Sequence, residues 1–197
     1  MAISSALRKS LFLAACAAAF SFNSTSSARA DQQSLVCEQQ LARASQEEQV
    51  PLPVLYAVGL TESGNKGRLH PYALNIEGKT VFPKSKQDAL RQFADARKQG
   101  KKLIDLGCMQ VNHHFHGSNF SGPDEMLVPD KNVTYAARFL KELRQEHGSW
   151  TMAVARYHAS AKNKVAQRRY ICAVISNLVR SDLGAWTPDA KKFCGVR

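Results

Sequence analysis

The sequence predicts a mainly α-helical domain with at most a small β element, on three observations. Apolar residues recur at three- and four-residue spacing almost throughout. Cap and stop residues stand where those runs begin and end. The aliphatic faces are ample to build one core.

Residues 1–30 read as an export signal, removed from the mature chain. Arg8 and Lys9 form a positive start, Leu11 to Phe22 an apolar run too short to span a bilayer, and Ala28-Arg29-Ala30 a small-x-small cleavage site. Leu13-Ala14-Ala15-Cys16 resembles a lipobox, but only six residues separate Lys9 from Cys16 and the apolar run continues beyond it. Plain cleavage is therefore preferred over lipid anchoring through Cys16. Residues 31–197 follow as a single domain, and no other segment is long and apolar enough to be a membrane span.

Within that domain, Ser34 is read as the cap of a helix reaching about Glu48, with Cys37, Leu41 and Ala44 on one face. Val50-Pro51-Leu52-Pro53 breaks it and starts a second helix, stopped at Gly64. From Gly64 to Pro83 the composition is loop-like. Ser85 and Asp88 form a capping box for a helix to Gln99, stopped by Gly100. Leu103 to Leu106 reads as a short extended segment, and His113 to Pro129 as irregular with one short helical turn. Val133, Ala136, Ala137, Leu140 and Leu143 mark the clearest helix, ending at Gly148. Ser149 caps the next, bearing Trp150, Ala153, Val154 and Tyr157. A last helix from about Asn163 to Arg180 is expected to place Val165, Cys172, Ile175 and Val179 on one side, forming a C-terminal helical extension.

The chain carries a net charge of +11, and removal of Arg8, Lys9 and Arg29 with no acids leaves +8. The positive residues are scattered and an exported protein rarely meets nucleic acid, so an anionic cell-envelope polymer is the expected partner. Lys79 to Lys102 is the most basic stretch and is expected to border a cleft and attract that polymer. Four cysteines remain after cleavage: Cys37, Cys108, Cys172 and Cys194. An even count in an exported chain argues for two disulfides with three pairings open. Cys172 and Cys194 are neighbours in sequence and would staple the tail to the last long helix, which leaves Cys37 with Cys108.

The second helix is the most informative segment. Pro53 to Leu60 is almost wholly apolar, so the helix should be buried and should end with Glu62 in its last turn. Desolvation and the negative end of the helix dipole both penalise the carboxylate and raise its pKa. A carboxyl kept protonated near neutrality is what a general acid requires.

Three segments in this order, Glu62-Ser63, Gly107-Cys108-Met109-Gln110-Val111-Asn112 and Ala153-Val154-Ala155-Arg156-Tyr157-His158-Ala159, resemble the soluble lytic transglycosylases of lysozyme-like fold. Asn132-Val133, Tyr135-Ala136-Ala137 and Phe139-Leu140 resemble that family's central helix. The likeness covers roughly Cys37 to Ser160. Cys108 stands where Leu is usual and His158 where Asn is. The stretch from Gly78 to Asp105 is longer and more basic than a minimal member needs. These departures are similar to the small specialised enzymes that accompany flagella and secretion systems, which makes such components expected partners.

The resemblance implies a peptidoglycan lyase of the periplasm with one catalytic carboxyl and no cofactor. Glu62 would protonate the glycosidic oxygen between N-acetylmuramic acid and N-acetylglucosamine. It would then act as base on the sugar's own 6-hydroxyl, closing a 1,6-anhydro ring. Ser63 would offer a hydroxyl beside the acid, Met109 would line the wall, Gln110 would bind the sugar or its N-acetyl group, and Asn112 could contact sugar. Asn75 carries the same expectation, in each case against a turn-forming role. Tyr157 would hydrogen-bond Glu62. His113, His114 and His116 lack an acidic or cysteine partner at ligand spacing, so no metal site is expected and a place on the cleft rim is. Asn119-Phe120-Ser121 and Asn132-Val133-Thr134 fit glycosylation acceptors but carry no meaning in a bacterial export. Two alternatives stand beside this reading: a hydrolytic muramidase using a second carboxylate, and a non-catalytic wall-binding assembly factor.

Overall fold

The structure, a computed structural model, describes residues 35–197. The export signal, Cys16 and the cap proposed at Ser34 lie outside those residues. Helix α1 (Val36–Glu48) buries Cys37, Leu41 and Ala44, the face expected from its spacing. Helix α2 (Leu52–Ser63) has Pro53 in its first turn and buries Leu55, Ala57, Val58, Gly59 and Ser63. It stops at Gly64, though not through a left-handed turn, since Gly64 has φ −59°. Space is the constraint there: a Cβ at Gly64 would lie 2.2 Å from the Leu60 carbonyl oxygen.

The region read as loop folds into short strands. β1 (Gly64–Asn65) pairs with β2 (Arg68–Leu69), and β3 (Leu74–Ile76) pairs with β4 (Lys79–Val81), each antiparallel. Both hairpins turn on two residues at positive φ, Lys66-Gly67 and Glu77-Gly78, as a right-handed strand twist requires. β5 (Ile104–Leu106) and β6 (Val111–Asn112) complete a four-stranded sheet in the order β4-β3-β5-β6. Helix α3 (Lys86–Lys98) precedes β5 and is capped by the Ser85 hydroxyl, which accepts from the Asp88 N–H.

After β6 come two one-turn helices, α4 (His113–His116) and α5 (Pro123–Met126), joined through a 3₁₀ turn. The long helix α6 (Pro129–His147) then buries Val133, Ala136, Ala137, Leu140 and Leu143 and ends at Gly148. Ser149 caps α7 (Trp150–His158) and Asn163 caps α8 (Lys164–Arg180). α1 packs on α6, α2 packs on α8, and α7 bridges α6 and α8. Leu41, Leu55, Leu74, Leu106, Met126 and Leu140 fill the core at 0% exposure.

Two features depart from expectation. The buried face of α8 is Gln167, Tyr170, Ile171, Val174 and Asn177, and Val165 is 72% exposed. Its polar members are buried because each has a partner: Gln167 donates to the Ser160 carbonyl and Asn177 to the Thr61 hydroxyl. The tail is also ordered into a helix, α9 (Pro188–Cys194), capped by Thr187. Cys172–Cys194 ties α9 to α8, and Cys37–Cys108 ties α1 to the β5–β6 turn.

Candidate active site

The end of α2 brings Glu62 to a cleft of about 340 Å³. One wall is the sheet, where strand register sets Asn75, Asp105 and Asn112 side by side on β3, β5 and β6. All three line the cleft, with Gln110 between β5 and β6. The other wall carries Tyr135 and Phe139 from α6 and Tyr157 and His158 from α7.

The electrostatics make Glu62 an acid. Its pKa is raised from 4.5 to about 8, above all by burial. The Tyr170 hydroxyl opposes the rise by donating to the carboxylate at 2.5 Å, and the nearby Asp105 charge reinforces it. Asp105 is itself shifted upward by burial, against the stabilising bond from Asn112 Nδ2 at 2.5 Å. Tyr157 and Tyr170 are held well above the ordinary phenol range, first by burial and then by the Glu62 charge, so both stay protonated donors.

Several residues named from sequence take other places. Tyr157 lines the cleft, but its hydroxyl donates to the Met109 carbonyl at 2.7 Å, and Tyr170 takes the partnership with Glu62. Ser63 faces inward: at 1% exposure its hydroxyl donates to the Cys108 carbonyl at 2.6 Å. Met109 is fully buried in the core and contributes its backbone. Both follow from the geometry of the Gly107–Gln110 turn, which lies directly on the end of α2. Gly107 has φ +84°, and a Cβ there would lie 2.7 Å from Asn132 Nδ2. Asn132 in turn accepts from the Met109 N–H and donates to the Leu106 and Met126 carbonyls.

Gln110 and Asn112 do reach the cleft. Gln110 Nε2 donates to the Ala73 and Gly107 carbonyls, leaving its buried Oε1 without a protein partner. A buried carbonyl oxygen of this kind suits a donor such as a substrate N–H. Asn112 accepts from the His114 and Phe115 N–H groups, capping α4 while donating to Asp105. Asn75 Oδ1 accepts from the Gly78 N–H, so its turn-forming role is real.

His116 lines the cleft and shares a 2.8 Å bond with the Tyr135 hydroxyl, whereas His113 rests against Phe93. Among the described residues no group of three or more His, Cys, Asp or Glu side chains is placed to hold a metal. Within the same residues no helix is long and apolar enough to cross a membrane.

Sequence reasoning missed Asp105 and Tyr170. Asp105 was one residue of a short extended segment, and only strand pairing shows that it faces the cleft. Tyr170 was on a helix whose apolar residues pointed to a different face.

The domain model described as Transglycosylase SLT domain matches residues 39–172. The chain belongs to this family. No curated protein and no solved structure matches it. The SLT match runs from α1 into α8 and so contains Glu62, the whole sheet wall and Tyr170. It stops at Cys172, before α9. With membership comes the coarse function, transglycosylase-type degradation of peptidoglycan.

Proposed function

We propose that the protein is a lytic transglycosylase that cleaves the β-1,4 bond between N-acetylmuramic acid and N-acetylglucosamine, with Glu62 as its acid and base. The observation that carries this reading is a carboxyl at the cleft whose pKa lies near 8, so that it holds its proton at neutral pH. Glu62 gives that proton to the departing glycosidic oxygen as the C1–O bond breaks. The resulting carboxylate then takes the proton of the same sugar's 6-hydroxyl as its oxygen bonds to C1. One bond breaks, one forms, and the proton count on Glu62 is restored. An acceptor already tethered to the reacting sugar needs no ordered water. Gln110 Oε1 accepts from the N-acetyl N–H, and Tyr170 supports the carboxylate between the two half-reactions. The protein acts on the wall after export to the periplasm, where the disulfides form. Local opening of the wall for a flagellar or secretion assembly is the cellular use we assign to it.

Asp105 is the specific observation that favours a second reading, hydrolysis. A second carboxyl in the cleft is what a muramidase needs for a water or covalent route. Mass analysis of soluble products separates the two, because the anhydro product is lighter by one water than the reducing sugar. Glu62→Gln should abolish release of either product while sacculus binding persists. Undiminished release by that variant would overturn the assignment of the acid.

A further inference from the structure

We propose that His158 is a positioning residue that acts through Tyr170: its imidazole lies flat on the phenol ring and holds the hydroxyl on Glu62. The two rings are parallel within 1° with centroids 4.3 Å apart. Parallel contact at this distance is the geometry of offset stacking. Tyr170 is 4% exposed, and its hydroxyl donates to Glu62 Oε1 at 2.5 Å.

The placement follows from the chain. His158 is the last residue of α7, and α8 begins at Lys164 with Tyr170 facing back toward α2. The Ser160 carbonyl receives Gln167 Nε2 at 2.8 Å, which closes the link between the two helices and fixes the end of α7 against the second turn of α8. His158 itself borders the cleft. Partial burial lowers its pKa from the usual histidine range, so near neutral pH it is an uncharged ring.

A phenol that donates to a carboxylate stabilises the charged form, and that form exists only between the two half-reactions proposed for Glu62. Holding Tyr170 in place therefore favours proton release from Glu62 in the first half-reaction and does little for substrate binding. This inference rests on Glu62 being the acid and base. The titratable groups facing Glu62 are Tyr170 from α8, Tyr157 from α7 and Asp105 from β5, with Glu77 and His116 on the same cleft. Of these, only Tyr170 has a ring contact with His158, which makes the effect attributable through the double variant below.

The test titrates the Glu62 carboxyl by carbon NMR in the full mature chain, assigned by its loss in Glu62→Gln. Tyr170→Phe and His158→Asn should each raise the midpoint by about one pH unit, a tenfold change in proton affinity. His158→Phe, which restores a flat ring, should return the midpoint toward the parent value. His158→Asn placed in the Tyr170→Phe background should add nothing, because the route it acts by is gone. On sacculi, His158→Asn should lower kcat about tenfold with little change in KM. An unmoved midpoint in His158→Asn would overturn the proposal, as would an equal further shift in the Tyr170→Phe background. A rise in KM alone would also overturn it, assigning His158 to direct sugar contact. The titration needs no turnover, so the proposal and the lyase reading fail separately: an active Glu62→Gln sinks the latter while the midpoints still decide the former.

Discussion

Raising the pH should switch off the enzyme by removing one proton from Glu62, and the size of the effect follows from its environment. With a pKa of about 8, roughly nine-tenths of the carboxyl is protonated at pH 7 and roughly one-tenth at pH 9. An ordinary glutamate with the reference value of 4.5 would be protonated in only about 0.3% of molecules at pH 7. Burial at the end of α2 thus raises the working acid about 300-fold at neutral pH. Release of soluble muropeptides from sacculi, measured as kcat/KM across the pH range, should be flat below the midpoint and fall about tenfold per unit above it. Asp105→Asn removes a negative charge that helps hold the proton on Glu62, so the alkaline limb should move to lower pH. That is opposite in sign to the shift from removing the Tyr170 hydroxyl, whose bond favours the carboxylate. An alkaline limb in the ordinary carboxylate range, or a limb that Asp105→Asn moves upward, would refute the reasoning.

Three further outcomes are expected. Glu62→Gln should be more stable than the parent above about pH 8, on the order of 5 kcal/mol, with the difference vanishing near pH 4 in thermal melts. The sign follows because a carboxyl raised in the folded state contributes stability present below its unfolded value of 4.5 and lost as pH rises toward about 8. Replacing Cys37 and Cys108 by Ala should cost more than replacing Cys172 and Cys194: loop entropies for separations of 71 and 22 residues give about 4.4 and 3.4 kcal/mol in urea unfolding. Reversing Lys98, Lys101 and Lys102 to Glu should weaken sacculus binding at about 0.1 M salt and make little difference at 1 M. The loss should be modest, because Lys101 already pairs with Glu77 at 2.8 Å and Lys98 with Asp95 at 3.8 Å.

The helices were legible because their signals are local. The caps at Ser85 and Ser149 and the period of α6 are written within a few residues of one another. Of the strands only β5 was legible, as the extended segment from Leu103 to Leu106; the others are two or three residues long and too short to show alternation. Their hairpins turn on Lys66-Gly67 and Glu77-Gly78 instead of the Asn-Gly pair that marks such turns most strongly. Glu62 was legible as an acid because helix burial and helix end coincide in one segment. Its partners come from β5 and α8, 43 and 108 residues later in sequence. Tyr170 was hidden for a further reason: hydrophobicity selects Val165 and Val179, whereas the true buried face of α8 is made acceptable by hydrogen bonds that only the fold supplies.

The two motif segments around Glu62 and Gln110 mix residues that build the cleft with residues that face it, and substitution should separate them. Ser63 adjoins the acid, yet its hydroxyl donates to the Cys108 carbonyl at 2.6 Å and accepts from the His70 N–H at 3.3 Å. Ser63→Ala would leave the Cys108 carbonyl unpaired in a site that is 1% exposed, at a cost of about 1–3 kcal/mol, while the His70 N–H keeps its bond to the Ser63 carbonyl at 3.2 Å. That loss should appear in the urea midpoint, while kcat and KM per folded molecule stay near the parent values. Gln110 behaves in the opposite way. Its Nε2 also ties backbone carbonyls, but it lines the cleft and its buried Oε1 has no protein partner, so Gln110→Ala should raise KM for N-acetylated glycan as well as cost stability. Gln110→Glu is the sharper variant. A carboxylate cannot donate to the Ala73 and Gly107 carbonyls, and its charge beside Glu62 should push the alkaline limb of activity upward. If Ser63→Ala raised KM while leaving the urea midpoint unchanged, its hydroxyl would have to reach substrate, and the inward-facing geometry at the end of α2 would be wrong.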